Sequence, residues 1–101
     1  MPRVHLSKVS RADLEEIAER IGAFSLTSAR RTIDRVVARF RLLRDHPRIG
    51  PPLENIRPGL RALRCGKYQI LHRAYPDHVE ISRIVHHSRN LSDLTGIDSP
   101  T

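Results

Sequence analysis

Seven side chains in the second half of the chain could act on a charged oxygen: Arg61, Arg64, Arg73, Arg83, His86, His87 and Arg89. A guanidinium holds carboxylate or phosphate oxygens in a two-point grip. An imidazole set among arginines has a lowered proton affinity, which suits a base near neutral pH. Such a group could take a proton from a hydroxyl while the cations steady the charge developing on phosphorus. A plainer reading competes. His86 ends a strand pattern, where histidine often serves as a hydrogen-bonded anchor, and the arginines can be solvated or paired with Asp77 and Glu80.

A second constellation lies upstream. Arg31, Arg35 and Arg39 recur at every fourth residue, so a helix there carries three like charges on one stripe. Each such pair costs roughly 0.2–0.5 kcal/mol. A solvated face explains the stripe, and an acidic partner explains it more sharply. Six histidines raise the question of metal, but no two stand at i,i+4 spacing on a helix. His86 and His87 point to opposite faces if the strand continues through both, so neither metal nor cofactor is expected. Cys65, the only cysteine, forms no internal disulfide and reads as a small buried hydrophobe. Only Phe24, Phe40, Tyr68 and Tyr75 are aromatic. Three of these sit at core-like positions, leaving too little to stack bases, so direct DNA binding by this chain alone is not expected.

The elements that must hold these groups divide at residues 46 to 59, where Pro47, Pro51, Pro52, Pro58, Gly50 and Gly59 exclude both helix and central strand. Upstream, Arg3 to Leu6 alternates as a short strand. Ser7 or Ser10 can cap a first helix, with Ser10 and Asp13 spaced as a capping box. Leu14, Ile17, Ala18 and Ile21 form its apolar face, Glu16 and Arg20 pair outside, and Gly22 is a natural stop. Thr27 or Ser28 caps a second helix to about Asp45, with Ala29, Ile33, Val36, Val37, Phe40 and Leu43 as its stripe. Downstream, Leu60 to Cys65, Tyr68 to Tyr75 and Val79 to His86 read as strands joined by tight turns. Arg89 to Leu94 reads as a polar end segment of one helical turn. The fold class is α+β: an N-terminal strand and a helical hairpin (about 10–45), a loop (46–59), an antiparallel meander (about 60–87) and a tail (88–101).

At 101 residues the chain is one domain with room for one modest core. The net charge is +7, and residues 23 to 89 hold fourteen of the eighteen cations against five acids. That field favours an acidic or nucleic-acid partner without choosing between them. No apolar run reaches signal-peptide or membrane-span length, so a cytoplasmic protein is expected.

The chain resembles the ParE branch of the RelE/ParE toxins of bacterial type II toxin–antitoxin pairs. The resemblance rests on Ala12 to Ile17, Ala29 to Arg35, Leu42 to Gly50, Gly59 to Arg61, Gly66 to Arg73 and Ile84 to Leu91, in that order and spacing. It implies a ParD-like antitoxin whose acidic C-terminal segment wraps the toxin in a hetero-oligomeric complex. It also implies growth inhibition and plasmid stabilisation. ParE-type members are associated with inhibition of DNA gyrase; RelE-type members cleave mRNA on the ribosome.

Within that frame, His86, Arg61, Arg73 and Arg89 are the catalytic set if the chain is a ribonuclease. The end segment lacks the lysine-rich helix or terminal tyrosine of many ribonuclease members, which favours the non-catalytic gyrase inhibitor. The groove between helices and sheet and the exposed strand edge are the expected antitoxin seat, with Arg31, Arg35, Arg39, Arg61 and Arg73 as its contacts. His86, His87, Arg89 and Leu91 are the expected target surface, on a segment not needed to close the core. A toxin-like scaffold retained only as a binding module is a third alternative.

Overall fold

The computed structural model describes residues 3–97. Six elements follow in order: β1 (Arg3–Leu6), α1 (Lys8–Gly22), α2 (Leu26–Asp45), β2 (Arg61–Cys65), β3 (Tyr68–Ala74) and β4 (His78–His86). The strands form one sheet ordered β1-β4-β3-β2. β1 runs parallel to β4, and the other pairings are antiparallel. Among the described residues no helix is long and apolar enough to cross a membrane.

Serines start both helices. The Ser7 hydroxyl accepts the Ser10 amide at 3.0 Å and donates to the Ser82 carbonyl at 3.0 Å, tying the start of α1 to β4. Asp13 therefore does not complete a capping box with Ser10; it faces the sheet. Ser25, not Thr27 or Ser28, caps α2 by accepting the Ser28 amide at 3.1 Å. Gly22 is the last residue of α1 rather than a left-handed stop, and Ala23 after it stays right-handed. A three-residue link then turns the chain into α2. Glu16 and Arg20 pair at 3.0 Å as their spacing requires.

The sheet has a packed layer on each face, so there are two cores rather than one. Ile17, Val36, Leu43, Cys65, Ile70, Val79, Ile81 and Ile84 close the helical side. On the other side Leu60, Ala62, Leu71, Val85, Leu94 and Ile97 pack together, flanked by Leu53, Ile56 and Leu91. The end segment is thus structural: it forms no helical turn, and Leu94 and Ile97 are buried. Val37 departs from the expected stripe and is exposed, as is Phe24.

The proline-rich loop also borders the sheet. The Ala62 amide donates to the Pro51 carbonyl at 3.1 Å and the Leu53 amide to the Leu60 carbonyl at 2.8 Å. Residues 51–53 therefore lie along the outer rim of β2. Gly50 permits this approach: its φ is +93°, and a Cβ there would overlap the Ala62 carbonyl.

Candidate functional site

β4 ends at His86, opposite Tyr68 in the register. The chain then turns, because the His87 amide reaches the Lys67 carbonyl at 2.8 Å and the Arg89 amide the His86 carbonyl at 3.0 Å. The two imidazoles accordingly stack, with centroids 4.6 Å apart, instead of pointing to opposite faces. Tyr68 meets His86 edge-on at 5.9 Å. Asp13, Glu16 and Arg20 of α1 join Tyr68, Arg83, His86 and Arg89 around a polar hollow of about 150 Å³.

Hydrogen bonding fixes which His86 nitrogen is free. Nδ1 lies 2.8 Å from the Ser88 hydroxyl and accepts the Ser88 amide at 3.2 Å. An amide can only donate, so neutral His86 carries its proton on Nε2. Nε2 is then a donor, not the lone pair a general base needs. His87, though exposed, is held below the ordinary histidine range by lost hydration, the Arg64 guanidinium and the His86 ring.

The ribonuclease set is not assembled. Arg89 neighbours His86, but Arg61 pairs with His72 and Arg73 with Glu80, towards the far end of the sheet. Arg73 lies five positions along β3 from Tyr68, the residue facing His86, about 17 Å at roughly 3.3 Å per residue. Arg61 is half-buried and donates to the Gly50 carbonyl at 2.9 Å. Arg73 is 7% exposed and donates to the Pro58 carbonyl. A guanidinium so enclosed serves the loop and, contrary to expectation, is not presented to a partner.

The α2 arginines do share one flank. Arg31 and Arg35 are exposed, and among the described residues neither has an ion-pair or hydrogen-bond partner. Arg39 donates to the Arg64 carbonyl at 3.1 Å, which with residues 51–53 leaves little free edge on β2. Arg35 and Arg39 lie near enough to oppose the rise that burial imposes on the Cys65 thiol. Leu91 is half-buried against the second core, so it is only partly available to a target.

Sequence reasoning missed the group that braces this corner. Asp13 accepts from Arg83 Nε at 2.8 Å and Nη2 at 3.0 Å, and from the Ile84 amide at 3.0 Å. Arg83 also donates to the Thr95 carbonyl at 2.8 Å. The only sequence signal was an acid one turn before Ile17 of the apolar face of α1, and the capping-box spacing offered a simpler use for it.

A two-helix hairpin laid on a sheet whose first strand joins in parallel at the rim, with a cationic second helix, defines a toxin of the RelE/ParE superfamily. The chain belongs to the ParE toxin family: residues 4–91 match the family model described as ParE toxin of type II toxin-antitoxin system, parDE. It is 31% identical over 94 residues to Toxin ParE1 of Caulobacter vibrioides, covering 89% of this chain and 94% of that one. Among solved structures it is similar to a chain of the toxin-antitoxin complex RelBE2 from Mycobacterium tuberculosis, at 28% identity and a TM-score of 0.59. That match covers 86% of this chain and all of the other. The chromosomal ParDE system of P. aeruginosa shares the fold, with a TM-score of 0.73 at 21% identity over 85% of this chain and 96% of that one.

Proposed function

We propose that this toxin acts without catalysis, by binding and inhibiting DNA gyrase in the cytoplasm, and that an antitoxin with an acidic segment restrains it. The observation that carries the non-catalytic reading is the register of β3 against β4. It sets Arg61 and Arg73 away from His86, whose Nδ1 lone pair is taken up by the Ser88 amide. Phosphodiester cleavage needs base, cations and acid around one phosphate, and this arrangement does not gather them. His86, His87 and Arg89 then serve as a rigid polar contact surface for the target. Arg31, Arg35 and Arg39 offer the antitoxin a cationic flank, with Arg61 a partly engaged neighbour.

The deciding experiment sets the purified chain against gyrase in a supercoiling assay and against translating ribosomes carrying mRNA. Loss of supercoiling with intact mRNA is expected. Cleavage of mRNA with gyrase unaffected would replace this proposal by the ribosome-dependent endoribonuclease reading. Co-expression with the protein of an adjoining reading frame, followed by co-purification, tests the antitoxin.

A further inference from the structure

Where the hairpin tip approaches the β2–β3 turn, a hollow of about 360 Å³ opens. Its floor is apolar: Ile21, Cys65 and the Tyr68 ring. Its rim is cationic and hydroxylic, made by Arg35 and Lys67 with Ser28 and Thr32. No carboxylate lines it. Among the described residues neither Arg35 nor Lys67 has an ion-pair partner.

Arg35 and Lys67 are both exposed, and no carboxylate in the hollow offsets their like charges. The field they make is focused by the walls and attracts anions. Arg35 lies close enough to the Cys65 thiol to oppose part of the rise that burial causes there. Beside the hollow, at the hairpin tip, Phe24 is 90% and Leu26 81% exposed. An apolar lip next to a cationic hollow fits one kind of occupant, a segment with both apolar and acidic side chains.

We propose that this hollow is the anchoring pocket for carboxylates of an acidic, partly apolar antitoxin segment, with Phe24 and Leu26 receiving its apolar residues. The inference rests on the antitoxin reading above and narrows it to one end of α2. Arg35 and Lys67 bind the carboxylates, Ser28 and Thr32 are placed to add hydrogen bonds, and Cys65 supplies shape.

The probe is a synthetic peptide of alternating Leu and Glu, titrated into the isotope-labelled full chain and followed by amide chemical shifts. An oligothymidylate is run in parallel. Shifts centred on Ser28, Thr32, Gly66 and Lys67 are expected with the peptide. Lys67→Glu, in an exposed turn where folding is not at stake, should weaken it by about tenfold, equivalent to about 1.4 kcal/mol. Arg48→Glu, a charge reversal beyond the other end of α2, should leave it within about twofold. Equal weakening by both variants, or tighter binding of the oligothymidylate at the same amides, would overturn the pocket. The co-expressed antitoxin complex gives the second arm. A complex that forms with Lys67→Glu and Arg35→Glu at unchanged affinity removes the pocket and leaves the antitoxin reading standing. Failure of the unaltered chain to form any complex removes that reading, and the peptide arm still decides the pocket.

Discussion

Arg83 grips Asp13 through two near-parallel hydrogen bonds, of 2.8 and 3.0 Å, between residues seventy positions apart in sequence. Both side chains are about seven-eighths buried. With the Ile84 amide on the same carboxylate and the Thr95 carbonyl on the same guanidinium, the pair locks helix, sheet and end segment together.

Removing one member of that pair strands a buried charge. Asp13→Ala should cost about 3 kcal/mol of stability, and Arg83→Met a similar amount. Replacing both by apolar residues should cost less than the two single changes added. Denaturant unfolding of the four proteins in the cycle tests this; additive losses would show that the two groups do not act as a unit.

His72 gives the fold a weak side in acid. It is fully buried, neither ring nitrogen has a partner in good hydrogen-bonding geometry, and its pKa is lowered from 6.5 to about 4. Burial is the main cause; the Ile49 backbone opposes it and the Arg61 charge adds to it. Below pH 6.5 the unfolded chain binds a proton that the folded chain refuses. Stability is therefore complete above pH 6.5 and falls as pH drops towards 4, by up to about 3 kcal/mol. His72→Leu should flatten the pH dependence of unfolding over that interval. An unchanged slope would assign the acid sensitivity to other groups.

Two glycines of positive φ should respond unequally to alanine. Gly50→Ala meets the Ala62 carbonyl as well as backbone strain, and a loss above about 3 kcal/mol is expected. Gly59→Ala has nothing within 4 Å of the new methyl and should cost only about 1 kcal/mol. Thermal unfolding of both variants measures the difference.

The end segment should behave as core. Leu94→Ala leaves a void beneath the sheet and should cost about 2–5 kcal/mol, whereas Ser92→Ala, on an exposed residue of the same segment, should cost well under 1 kcal/mol. Equal melting temperatures for the two would show that the second layer adds nothing.

Target binding should separate from stability at Arg89. It is exposed, and only its backbone is engaged in holding the turn. Under the proposed gyrase reading, Arg89→Glu should weaken inhibition by about tenfold while moving stability by under about 0.5 kcal/mol. Undiminished inhibition would take the contact surface elsewhere.

The order of elements was legible because punctuation and periodicity agree: proline ends α2, glycine turns the β2–β3 hairpin, and apolar spacing changes from helical to alternating between them. The second core was not. Leu91, Leu94 and Ile97 are scattered among polar residues, and only the sheet's far face, invisible to local pattern, gives them a place to bury. Charge misled in both directions. Asp13 looked like a cap and proved a brace, and Arg73 looked like a contact and proved a buried loop support. A stripe such as Arg31, Arg35 and Arg39 is local, and it survived translation into three dimensions.

The loop along β2 has a consequence for the free toxin. With Pro51 to Leu53 on one rim, and at the other, among the described residues, the four-residue β1, the ribbon offers little to a second copy seeking to extend it. Such blunted margins discourage fibril-like stacking, so liberated molecules should stay dispersed and ready for their target rather than lost to aggregates.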